Sequence, residues 1–97
     1  DPNLQLVALR IELEKRLAAL VEKNGMKART LNDMLRAAED FQLLDAPVID
    51  ALRTLIRAGN MAAHGRPIDR ELGEWVGDTG PDILRALDRR LQAPALS

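Results

Sequence analysis

DAPVIDALRTLIRAGNMAAHGRP, residues 45–67, is the stretch whose reading decides the fold. Projected at about 100° per residue, it places Asp50, Arg53, Arg57, Asn60 and His64 within an arc of roughly 80°, while Val48, Leu52, Leu55, Gly59, Ala62 and Ala63 gather on the opposite side. One face is apolar enough to enter a core; the other is a row of charge, amide and imidazole. Asp45 stands where a helix start is capped, and Pro47 in the first turn has no N–H to leave unpaired. Gly65 and Arg66-Pro67 supply an exit, so the stretch predicts a helix ending at His64. His64 is the only histidine in the chain. It follows Arg57 by seven residues and Asn60 by four, so two helical turns align the three side chains.

The rest of the chain sets bounds on what such a helix can do. Ninety-seven residues make one domain with a single modest core. Apolar residues are 46% of the chain, nearly all Leu, Ala, Val and Ile, with Phe41 and Trp75 the only aromatics. That is the composition of a helical bundle. The 14 basic and 15 acidic residues leave a net charge of −1, so phosphate binding has to be local instead of drawn by a global field. Without cysteine there are no disulfides or thiolate metal sites, and a lone histidine without an acidic cluster argues against zinc; no metal and no cofactor are expected. Charge breaks every apolar run, so nothing reads as a bilayer span or signal peptide. The expectation is a soluble cytoplasmic domain without membrane contact, with a core of about residues 4–92. It opens on Asp-Pro-Asn and reads as excised from a larger protein, whose other domains could include a membrane anchor or a regulatory partner.

Upstream, a first helix is expected from about Asn3 to Lys23, closed by Asn24-Gly25. Its polar stripe of Gln5, Glu12, Arg16 and Lys23 is narrow, which predicts burial on two sides. Arg10 and Glu14 break the apolar arc, one turn apart. They form either an i,i+4 ion pair at its edge or a polar contact with another helix or chain, since a charge among leucines is costly unless paired. In the second case Glu14, with Arg10, approaches Arg57 or Arg53 and orients it. Thr30 followed by Asp33 starts a short helix at about Leu31–Glu39, and Asp69 caps the last one. Leu72, Trp75, Val76, Ile83, Leu87 and Leu91 keep a single register across Pro81, which favours one helix over 69–92, kinked near the proline, over two. Trp75 is expected against the first or third helix. The fold class is all-α, a small antiparallel bundle of four to five helices.

The phrase LRTLIRAGNMAAHG resembles the HEPN superfamily, whose motif is Arg-x(4 to 6)-His at the end of a long helix in a small all-α domain. The first-helix phrase LRIELEKRL is similar to the opening of uncharacterised bacterial members. The likeness covers about residues 4–92, and its specific part runs from Arg57 to His64. The spacing here is the long form, Arg-x6-His, and Ala58 stands where a polar residue often follows the arginine. The resemblance implies a bundle that pairs two-fold, with the arginines and histidines of both copies in an interfacial cleft. Active members are metal-independent endoribonucleases of toxin, antiviral and RNA-processing systems; others serve as inactive binding or dimerisation modules. By position, Arg57 would stabilise the phosphorane, His64 would act as acid or base, and Asn60 would assist. Arg53 and Arg66 are the candidate phosphate-binding cations.

Cleavage of RNA through its own 2′-hydroxyl needs a base, an acid and positive donors at the phosphate, and imidazole with guanidinium meets that need. The same residues also have a purely structural reading. Histidine in a last turn can satisfy free carbonyls and the helix dipole, and Asp50 with Arg53 can be a solvated pair. Two functions are therefore open: a homodimeric ribonuclease domain of a bacterial defence, toxin–antitoxin or stress system, and a non-catalytic helical dimerisation or regulatory domain. Near-neutral charge and few aromatics favour the second; the histidine clustered with arginines favours the first.

Overall fold

Leu6, Leu13, Leu17, Leu20 and Val21 fall on one side of a helix, and all five are buried in α1 (Pro2–Lys23). The structure, a computed structural model, describes residues 2–95. Asp1, Leu96 and Ser97 lie outside them. Three more helices follow: α2 (Leu31–Asp40), α3 (Ala46–Ala63) and α4 (Arg70–Gln92). Among the described residues there is no strand, so the all-α reading holds with four helices.

The helix ends follow from local chemistry. α1, α2 and α3 close with the same paired bonds, in which the two residues after the cap donate back into the last turn. In α1, Gly25 N–H reaches the Glu22 carbonyl at 2.9 Å and Met26 N–H that of Val21 at 3.1 Å. In α3, Gly65 N–H reaches Ala62 at 3.0 Å and Arg66 N–H reaches Met61 at 2.9 Å. α2 does this with Gln42 at φ +53°, a left-handed conformation that glycine adopts at lower cost. At the starts, Thr30 accepts from Asp33 N–H at 3.1 Å and Asp69 Oδ1 from Leu72 N–H at 2.8 Å. Asp45 occupies the cap position of α3 but makes no side-chain cap bond.

α1 packs against all three other helices. α4 runs parallel to it: Leu9 lies against Gly80, Arg16 binds Asp88 at 2.8 Å, and Lys23 donates to the Leu91 and Ala93 carbonyls. The Arg16 and Lys23 positions of the polar stripe therefore reach α4. α3 runs the other way, with Asp45 and Val48 beside Ala86–Ala93 and Thr54 beside Leu72 and Trp75. The antiparallel expectation thus fits α3 against α4, while α1 and α4 are parallel neighbours. The core is almost entirely aliphatic: Leu13, Leu17, Leu35, Ile49, Leu52, Leu55 and Leu87 are essentially without solvent contact, and among the described residues no charged or polar residue is fully buried.

α4 continues through Pro81 as one helix, as the unbroken register of its apolar residues requires. A proline ring crowds the carbonyl four residues earlier, here that of Gly77, a residue that brings no side chain of its own to that turn. Trp75 falls next to the third helix, one of the two expected for it. It lies beside Thr54 of α3 but stays 36% exposed, at the rim of the core instead of within it.

Candidate functional site: the exposed face of α3

The helical projection of residues 45–67 is realised for the polar row and for most of the apolar side, but Val48 is only half-buried and Ala63, at the helix end, is exposed. Ile49, Leu52, Leu55, Ile56, Ala58, Gly59 and Ala62 are buried, while Asp50, Arg53, Arg57, Asn60 and His64 are exposed. Side chains seven residues apart start about 10.5 Å apart along a helix axis, so Arg57 and His64 share a face without touching. Neither side chain has a hydrogen-bond or ion-pair partner among the described residues. Arg53, Arg57 and Asn60 line a shallow groove of about 210 Å³ with Asn32 of α2, floored by Leu35 and Ile56. His64 is outside this groove. Asn32 was not singled out from the sequence, because it belongs to another helix and nothing in its spacing signals which residues α2 sets against α3.

Arg53 pairs with Glu39 of α2 at 3.5 Å, and not with Asp50. Both partners are substantially exposed, so the pair contributes only tenths of a kcal/mol, on the order of 0.5 at most. His64 is the C-cap of α3: its backbone N–H donates to the Asn60 carbonyl at 3.1 Å, with φ −90° and ψ 10°. Arg66 is exposed on the segment that leaves α3, tied by its own backbone to Met61.

The contact with α1 is closer than the sequence disclosed. A Cβ at Gly59 would stand 2.7 Å from Arg10 Cβ, so this glycine lets α1 and α3 approach nearly backbone to backbone. Arg10 then reaches across the seam and donates through NH1 to Asn60 Oδ1. Its Nε is buried without a partner. Arg10 therefore does meet a polar group on another helix, but through the amide of Asn60. Glu14 is half-buried and forms no hydrogen bond or ion pair with Arg57, Arg53 or any other described residue. The expectation that it orients Arg57 is not met within one chain. The reason is register: Gly59 sets α3 against Arg10, and the next turn of α1 brings no cation of α3 within bonding distance of Glu14.

Among the described residues no group of three acidic, histidine or cysteine side chains could hold a metal ion, and no helix is long and apolar enough to cross a membrane. Compared with known proteins, the chain matches no family model, no curated protein and no solved structure.

Proposed function

We propose that the chain is a HEPN-like helical domain whose α3 face binds the phosphodiester of RNA and, in a cleft between two copies, cleaves it without a metal ion, in a bacterial defence, toxin–antitoxin or stress system. The observation that carries this reading is the exposure of Arg57 and His64 on one helix face, each free of any carboxylate. A cation that served only the fold would be expected to find a partner or cover apolar surface. The 2′-hydroxyl gives its proton to one imidazole and attacks phosphorus; the 5′-oxygen leaves with a proton from a second imidazolium. Arg57 guanidinia, assisted by Asn60, hold the charge that develops on the phosphorane, while Arg53 and Arg66 hold the flanking phosphates. One chain has one histidine, so the second copy supplies the other. The purified protein is expected to cleave single-stranded or transfer RNA in excess EDTA and leave 2′,3′-cyclic phosphate ends. His64→Ala and Arg57→Ala should each abolish this while the circular dichroism stays helical. Intact RNA across a broad panel refutes catalysis.

A second reading, a non-catalytic self-association or regulatory domain, draws on a separate observation. Leu4 is 68% and Ile11 41% exposed, and with Ala8 between them they form an apolar ridge on the outer face of α1. Such a ridge is the kind of surface that another helix covers. The cap geometry also accounts for His64-Gly65 without any substrate. Sedimentation at tens of micromolar separates the cases: a dimer that leaves RNA intact supports this reading, and a strict monomer counts against both.

A further inference from the structure

Arginine carries donors only, so Arg10 can engage Asn60 only through Oδ1, as it does. That bond fixes the amide with its oxygen on Arg10, and the Asn60 group left without a partner is its pair of Nδ2 protons. At the level of Asn60 and Arg57 the exposed face of α3 then offers mainly N–H groups, since the one side-chain oxygen there already accepts from Arg10. Two further observations belong to the same arrangement. Gly59, inside a helix where glycine is unfavourable, is what allows α1 to come this close. Arg10 also keeps its place although Nε is buried without a partner, which is a standing cost that an exposed arginine would avoid by turning into water.

We infer that Arg10 is a positioning residue: it fixes Asn60 as a dedicated hydrogen-bond donor to an anionic oxygen, a phosphodiester oxygen held at the same time by Arg57. The inference rests on the reading of the α3 face as a phosphate-binding surface. It assigns Arg10 to Asn60 instead of Arg57, and gives the glycine at position 59 a functional reason. It also predicts a preference of ligand class: an anionic oxygen meets the free Nδ2 protons, whereas a group presenting N–H donors meets an oxygen already shared with Arg10.

The test uses a fluorescently labelled, fully 2′-O-methylated single-stranded RNA, which can bind but cannot be cleaved through its own 2′-oxygen. Loss of one such hydrogen bond corresponds to about fivefold in affinity. Asn60→Ala and Arg10→Met are each expected to weaken binding about fivefold, and the double variant no more than Asn60→Ala alone, because the two act as one unit. Asn60→Asp, which replaces the donor by a carboxylate, should weaken it tenfold or more, and Arg10→Lys should retain more affinity than Arg10→Met. Arg70→Gln, on α4, serves as the distant control. Arg10→Met weakening binding equally in the Asn60→Ala background assigns Arg10 a general charge or folding role and overturns the inference. Binding that depends on Arg57 but not on Arg10 overturns it while the phosphate reading stands. Wild-type protein that does not bind the probe overturns both.

Discussion

On one side of α1, Gly59 of α3 meets the Cβ of Arg10; on the other, Gly80 of α4 meets the Cδ2 of Leu9, and an added Cβ would lie at 2.7 and 2.8 Å respectively. The distances nearly match, but the atoms approached differ. Arg10 Cβ is anchored to the backbone, so at that seam the two helices themselves are in contact, and the long side chain is directed across to Asn60. Leu9 Cδ2 is the free end of a side chain that can rotate, and its contact serves only the half-buried apolar layer between α1 and α4. Helix proximity thus aims a polar group in one case and fills space in the other.

Alanine at the two positions is the sharpest way to break that comparison. Gly59→Ala cannot be relieved by a rotamer change, so the helices must separate; overpacking of this kind costs about 1–3 kcal/mol, of which the better helix propensity of alanine returns up to about 1. A net loss of about 1–2 kcal/mol in urea unfolding is expected. Gly80→Ala asks only Leu9 to move, at about 0.5–1.5 kcal/mol, and the same propensity gain leaves it near neutral. Equal losses at both sites would show that the α1–α3 seam has no special rigidity.

The third glycine lies on α4, where an added Cβ at Gly73 meets nothing. Gly73→Ala is therefore expected to stabilise the fold by about 0.5–1 kcal/mol, through helix propensity and a less flexible unfolded chain. A destabilising result in the isolated chain would mean that α4 bends at this point. Both Gly73 and Gly59 are helical glycines flanked by charge within a few residues, and the sequence does not give how closely a neighbouring helix passes either one. What separates them is the register between helices, set by the packed core as a whole. For the same reason the helix limits, which depend on Thr30, Asp69, Asn24-Gly25 and His64-Gly65, were legible. The Arg10–Asn60 bond, 50 residues apart in sequence, was not. The one available signal was Gly59 itself, a glycine on the apolar face of α3, where only a close crossing explains the missing side chain. Trp75 keeps the apolar register of α4 and lies beside Thr54 of α3, as its register implied, but its partial exposure at the rim follows from packing between helices that the register does not give.

The smallest effect concerns what else joins α1 to its two neighbours. On the α4 side, Arg16 holds Glu12 at 3.0 Å and Asp88 at 2.8 Å, a charged link that the α3 side lacks among the described residues. The hydrogen bond from Arg16, and after it that from Lys15, holds the Glu12 carboxyl below its ordinary value of 4.5. A folded-state pKa lowered in this way stabilises the fold above the unfolded value, and the contribution is lost as pH falls through the lowered one. The Glu12 carboxylate faces water, so screening keeps the effect small. Wild type should melt slightly above Glu12→Gln near neutral pH, and the gap should close as the pH drops well below 4.5, or as salt is raised. A gap that stays constant with pH would assign the difference to helix packing and remove the carboxylate from the link. A gap that closes together with loss of α4 protection in hydrogen exchange, while α3 remains protected, would show that acid loosens the α4 side of α1 and spares the side that carries Arg10 and Asn60.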